Sequence, residues 1–179
     1  MLIRKATTRD LEFLIQIDRK NEGLTLTQET MLMNEDLDQH RRKIARFVTE
    51  DNRGAFIYET NGERRGAILF SESNRDTIYP PDWKTIFHEL DRGLFQKDGR
   101  FLEVFNLWVD PCCRRTGIAT RLKLELEQEA LRRQVNVVYT HTEERNEHVL
   151  ELNRKLGYVE VRRGPIWDDV IRVSLIKQL

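Results

Sequence analysis

The chain has 179 residues, enough for one domain with a sizeable core. Its 30 Lys and Arg balance 30 Asp and Glu, so the formal net charge is zero, which argues against a nucleic-acid binder with a basic stripe. No apolar run approaches the roughly 20 residues that span a bilayer; the charged start Leu2-Ile3-Arg4-Lys5-Ala6 does not read as a signal peptide. The only cysteines, Cys112 and Cys113, are adjacent and cannot staple distant segments, so a reducing, cytoplasmic setting is expected.

Leu2 to Ala6 reads as a short strand. Thr8 or Asp10 can cap a helix whose apolar side is Leu11, Leu14, Ile15 and Ile17. A second helix is expected from near Thr27 to about Val48, with Leu32, Leu37, Ile44, Phe47 and Val48 on its apolar side. Gly54 to Glu59 and Gly66 to Phe70 read as strands joined through Asn61-Gly62, a strong hairpin signal. Residues 71 to 100 then interrupt the sheet. Pro80-Pro81-Asp82 starts a helical pattern of Trp83, Ile86, Phe87, Leu90 and Leu94, with Gly99 at its exit. That insert is either a packing helix or a lid that walls a substrate pocket.

The second half alternates strand and helix. Phe101 to Val109 is a strand; Gly117 to about Arg133 is a helix with Ile118, Leu122, Leu126 and Ala130 on one row. Val135 to Thr140 is a strand, and Asn146 to Lys155 is a helix closed at Gly157. Val159 to Val161 and Val170 to Ile176 form a last strand pair around Gly164-Pro165. A strand–helix–strand crossover makes the middle pair parallel, giving one mixed α/β domain over residues 1–179.

The junction Val109-Asp110-Pro111-Cys112-Cys113-Arg114-Arg115-Thr116-Gly117-Ile118-Ala119 carries the chemistry. A strand ending in a tight turn at a helix N-terminus leaves backbone N–H groups aimed outward, and the helix dipole favours negative charge there. Two arginines at the same place suit a pyrophosphate. Cys112 and Cys113 lie in that turn, where a helix N-terminus beside arginines can lower a thiol pKa. His40, His88, His141 and His148 have no zinc-like spacing with them, so no metal is expected. No Gly-Lys-Ser/Thr phosphate loop occurs, which argues against a nucleotide ligand.

Two motifs resemble those of the GNAT superfamily of acetyl-CoA-dependent N-acetyltransferases. Arg114-Arg115-Thr116-Gly117-Ile118-Ala119 matches the family signature Gln/Arg-x-x-Gly-x-Gly/Ala and follows a Val-x-Pro at Val109-Asp110-Pro111. Asn146-Glu147-His148-Val149, Asn153 and Lys155-Leu156-Gly157-Tyr158 match the second signature, with Val149 in place of a small Ala. The resemblance covers nearly the whole chain and explains the 71–100 insert least. It implies a mixed, mostly antiparallel sheet of six to seven strands with a splayed parallel central pair, flanked by helices. It also implies that backbone groups of Leu107, Trp108 and Val109 hold the pantetheine arm of acetyl-CoA. The amides of Arg115, Thr116, Gly117, Ile118, Ala119 and Thr120, with Arg114, would hold the pyrophosphate. Asn146 and Asn153 would contact the same cosubstrate.

The activity so implied is direct attack of a primary amine on the acetyl thioester. An ammonium has no free lone pair, so a base must take its proton. Glu103, eleven residues before Arg114, stands where histone acetyltransferases of the family carry their glutamate; His141, five before Asn146, stands where ribosomal-protein acetyltransferases carry theirs. They are alternative candidates. Many members place a Tyr where this chain has Asn153, and an amide is no proton donor; the thiolate leaves unaided or takes a proton from Tyr139 or water. Glu103, Glu143, Glu144 and Asp168 fit a cationic acceptor, small molecule or protein. No nucleic acid or membrane partner is implied, and dimers are common in the family. The competing reading is a catalytically silent acetyl-CoA sensor or interaction module on the same fold.

Overall fold

The computed structural model describes residues 1–21, 34–78, 80–83, 95 and 99–179. Seven strands, β1 (Leu2–Lys5), β2 (Arg53–Thr60), β3 (Glu63–Asn74), β4 (Arg100–Val109), β5 (Val137–Glu143), β6 (Val159–Gly164) and β7 (Arg172–Gln178), form one sheet in the order β1-β2-β3-β4-β5-β7-β6. The described helices are α1 (Leu11–Asn21), α2 (Asn34–Thr49), α3 (Ile118–Arg132) and α4 (Glu147–Lys155). The β1–β2, β2–β3, β5–β7 and β6–β7 ladders are antiparallel. β4 and β5 are parallel and share only two paired positions, Leu102 with Val138 and Glu103 with Tyr139. The strands themselves are longer than that ladder, β4 reaching Val109 and β5 Glu143.

Several boundaries differ from expectation for local reasons. A short 3-10 turn, Thr8–Asp10, precedes α1 with Thr7 as its N-cap, and the Asp10 side chain accepts the Thr7 N–H at 2.9 Å. β3 is longer than Gly66 to Phe70 and reaches Asn74, into the start of the supposed insert. β5 begins at Val137, not Val135, because the Val135 N–H still donates to Ala130 O at 2.8 Å and closes α3, with Gln134 at a φ of 58°. The start of the second helix near Thr27, Leu32 and the 84–94 helix lie outside the described residues.

The described residues form two compact units, each assembled from two stretches of chain. The first comprises Met1–Ser71 and Phe105–Glu125. Its core joins Leu14, Ile15 and Ile17 of α1, Ile44 and Phe47 of α2, Ala55 and Ile57 of β2, Ala67 and Leu69 of β3, and Trp108 of β4. Spacings of three residues on the helices and two on the strands bring these side chains to one side. Each fully buried aliphatic chain is worth about 1.5–3 kcal/mol. The second unit comprises Glu72–Val104 and Leu126–Leu179. Its core packs Phe95, Phe101, Val137, Tyr139, Ile166 and Ile176, with the Phe95 and Phe101 rings 5.0 Å apart.

Gly66 of β3 controls where α3 starts. A Cβ there would lie 2.8 Å from Ile118 Cγ2 and 3.2 Å from the Trp108 carbonyl oxygen. Only a bare backbone lets the first turn of α3 settle this close to the strand.

Candidate active site

The turn from β4 into α3 lies in the first unit. Asp110 organises it. Its Oδ1 accepts the Cys112 N–H at 3.1 Å, and Arg65 Nη1 donates to its Oδ2 at 2.7 Å. The Cys112 thiol and the Arg65 guanidinium together hold the Asp110 carboxyl down at about 2. A 3-10 turn, Pro111–Cys113, follows, and the Thr116 hydroxyl donates to the Cys113 carbonyl at 2.7 Å. Arg115 and Gly117 both take left-handed backbone, at φ 63° and 85°. Left-handed residues in a turn are the backbone setting in which anion-binding nests form.

α3 opens next to that nest. The Gly117 carbonyl accepts the Arg121 N–H at 3.1 Å as the first helical bond, so the amides of Ile118, Ala119 and Thr120 have no helical acceptor ahead of them. No acidic residue stands in the first turn of α3. Arg114, Arg115, Thr116 and Gly117 are exposed, and Ala119 and Thr120 are half-buried. Ile118 is buried and anchors the turn on Gly66. A Cβ on Gly117 would meet no atom within 4 Å, so the space over the nest is open. Arg114, Arg115, Thr116, Gly117, Ile118, Ala119 and Thr120 run consecutively through this turn and the first turn of α3. Trp108 turns its ring into the core, edge-on to Phe13 at 5.7 Å, while Leu107 and Val109 beside it are half-buried.

The thiols behave differently from expectation. The Cys112 thiol is pushed up to about 11, first by its hydrogen bond to Asp110 and then by Cys113. The adjacent carboxylate outweighs the arginines, so a lowered thiol pKa does not hold for Cys112.

The remaining candidates lie in the second unit. Glu103 is half-buried on β4, in register with Tyr139. Tyr139 is fully buried and its hydroxyl donates to Ser174 Oγ at 3.0 Å; burial pushes its phenol well above the ordinary range. It is therefore a core tyrosine. His141 on β5 is half-buried, its ring edge-on to Trp167 at 5.1 Å, and its Nδ1 is buried without a hydrogen-bond partner. Burial, aided by the Arg172 charge, lowers it to about 4. It is therefore neutral at pH 7.

Asn146 caps α4 through its backbone, and its exposed side chain makes no capping bond. Asn153 is fully buried, and neither Nδ2 nor Oδ1 has a hydrogen-bond partner. An amide orphaned this way costs about 1–3 kcal/mol unless a ligand satisfies it. Three of the acids that fit a cationic acceptor are engaged with arginines. Glu143 accepts from Arg145 at 2.6 Å, Glu144 pairs with Arg163, and Asp168 receives both terminal nitrogens of Arg172.

Three clusters had no sequence signal. Arg172 lies 4.1 Å over the Trp167 ring while it holds Asp168. In the first unit, Asp10 is buried between Arg4, at 2.8 and 2.9 Å, and Arg64, at 2.8 Å, which drive its carboxyl far below the usual range. Also there, Asn106 of β4 donates to Asp18 Oδ1 at 2.9 Å, and His40 Nε2 stands 3.6 Å from Asp18 Oδ2. Among the described residues no group of three or more His, Cys, Asp and Glu is arranged to hold a metal ion, and no helix is long and apolar enough to cross a membrane.

A seven-stranded mixed sheet with a two-position parallel ladder, followed by a helix that opens at a glycine turn, defines an α/β protein. The chain belongs to the GNAT acetyltransferase family: the model of the Acetyltransferase (GNAT) family matches residues 19–158. Solved structures agree on the fold. Arabidopsis thaliana NAA60 in complex with acetyl-CoA superposes with a TM-score of 0.71 at 16% identity, covering 99% of this chain and 98% of that one. Ribosomal-protein-alanine N-acetyltransferase from Brucella melitensis gives 0.66 at 24% identity over 100% of both chains. The Escherichia coli ribosomal-protein-S18-alanine N-acetyltransferase gives 0.63 at 16% identity, covering 99% and 92%. A sequence comparison with curated proteins finds no match.

Proposed function

We propose that residues 1–179 form a single cytoplasmic N-acetyltransferase domain that moves an acetyl group from acetyl-CoA to a primary amine. The observation that carries this reading is the cradle at Arg114–Thr120: a left-handed nest, a free helix N-terminus without acids, and open space over Gly117. The orphaned Asn153 amide supports it independently, since a buried polar pair without partners suits a ligand rich in amides and carbonyls. Acetyl-CoA supplies an activated thioester; the chain's residues hold it and manage the acceptor's proton.

In this scheme the amides from Arg115 to Thr120, with Arg114, hold the pyrophosphate. Backbone groups of Leu107, Trp108 and Val109 align the pantetheine arm, much as an added strand would. Asn146 and Asn153 hydrogen-bond the same molecule. Glu103, which stands where histone acetyltransferases of the family carry their glutamate, is the preferred base, directly or through water. His141, neutral at pH 7 with its value lowered to about 4, is the alternative base. With Asn153 an amide and Tyr139 committed to Ser174, the CoA thiolate leaves unaided or takes its proton from water. The acceptor is an amine on a small molecule or a protein, and a homodimer is compatible with this scheme.

The test is calorimetric binding of acetyl-CoA, followed by thiol release across an amine panel. Tight binding together with amine-dependent release above hydrolysis is expected. Tight binding with no amine raising release above hydrolysis would favour the silent sensor.

A further inference from the structure

The adjacent thiols of the phosphate turn have no part in the scheme above. Cys112 is exposed and Cys113 half-buried, and their sulfurs stand 3.3 Å apart. Their geometry selects among soft ligands. With bonds of about 2.3 Å, typical of a thiolate on a metal, one atom bridging 3.3 Å subtends an S–X–S angle of about 92°. A linear two-coordinate ion needs about 4.6 Å between sulfurs, and a tetrahedral one about 3.8 Å. A near-right angle belongs to a pyramidal trivalent centre, which arsenic(III) supplies when it carries one organic group. No third His, Cys, Asp or Glu among the described residues completes a cage, so a ligand that asks for two thiols is the one that fits.

We propose that Cys112 and Cys113 form a dithiol site for monosubstituted trivalent arsenicals, and that its occupation closes the phosphate cradle. Two As–S bonds form and two As–OH bonds break. Each thiol proton leaves with a hydroxide as water, and arsenic stays trivalent, so no oxidant or reductant is required. The bond from Cys112 to Asp110 keeps that thiol protonated at neutral pH and disfavours attack by reagents that need a single thiolate. Condensation at arsenic removes the proton and leaves Arg65, 3.6 Å from Cys112 Sγ, facing the bound sulfur.

Coupling to the cradle is covalent and short. The Cys113 carbonyl holds the Thr116 hydroxyl, and Arg114 to Gly117 follow directly. A rigid ring across the 112–113 peptide, with its aryl group at the surface, disturbs that turn. This second half rests on the acetyl-CoA reading; the first does not.

The probe is phenylarsine oxide added to the reduced full-length chain. Intact mass should show one probe per chain, thiol titration should fall from two to zero, and a small dithiol but not a monothiol should reverse both. Cys112→Ser and Cys113→Ser should each lose the probe to a monothiol wash. Two probes per chain, or a single-cysteine variant that keeps its probe through that wash, overturns the dithiol site. Acetyl-CoA affinity should fall at least tenfold in the adduct, while the double Cys→Ser variant is indifferent to the probe. An adduct with unchanged affinity refutes the coupling. Failure of the untreated chain to bind acetyl-CoA refutes the function above, and mass and thiol count still decide the dithiol site.

Discussion

His141→Gln removes a titrating ring while keeping a neutral polar side chain of similar reach. In the folded chain burial and the Arg172 charge lower His141 from its ordinary 6.5 to about 4. The unfolded chain therefore binds a proton at a pH where the folded one does not. Stability from this group is fully present above pH 6.5 and is lost as pH falls toward 4. At about 1.4 kcal/mol per pH unit, the window of roughly 2.5 units corresponds to a loss of about 3 kcal/mol. Carboxylates such as Asp10 titrate in both proteins and cancel in the difference. The assay is urea unfolding of both proteins from pH 7.5 to 4. The stability of the parent should fall relative to the variant by about 3 kcal/mol across that range. Parallel curves would show that the imidazole is not held neutral.

Gly117→Asp should cut acetyl-CoA affinity at least 100-fold, by placing a carboxylate over the nest; calorimetry reads this, and unchanged affinity would remove the cradle assignment. Glu103→Gln should lower kcat near neutral pH with little change in acetyl-CoA Kd; a normal pH–rate profile would move the base to His141 or water. Asn153→Leu should raise stability by about 1–2 kcal/mol, because it removes two unpartnered buried polar atoms, and should weaken acetyl-CoA binding; a gain in stability with no change in binding would make the amide a structural accident. Asp10→Asn should cost about 3 kcal/mol in denaturant unfolding, since it leaves Arg4 and Arg64 around a neutral group.

Where a signal was local, the sequence could be read. The row Ile118, Leu122, Leu126 and Ala130 is buried throughout, and Asn61-Gly62 turns the hairpin between β2 and β3. The turn before α3 was legible because its residues are consecutive and Gly117 takes a left-handed φ of 85°. Other features failed for identifiable reasons. Ser71-Glu72-Ser73-Asn74 looks like a loop by composition, yet it extends β3. Thr7, Thr8 and Asp10 all carry capping oxygens, and only the choice of Asp10 as partner singles out Thr7. Asp168 and Glu144 read as acids available to a cation, because a sequence does not show that Arg172 and Arg163 reach them first. The same blindness hid Asp10, whose two arginines are 6 and 54 residues away.

β4 changes allegiance at Val104 and Phe105, so neither unit is contiguous in the chain. This orders events during synthesis. The first unit remains unfinished through the whole excursion Glu72–Val104 and gains Trp108 and the start of α3 only afterwards. Closing so long an excursion carries an entropic cost that grows slowly with its length. The second unit gains its largest ladder, β5 with β7, only when Arg172–Gln178 have left the ribosome. A nascent chain arrested before β7 therefore leaves the β5 edge that pairs with β7 open.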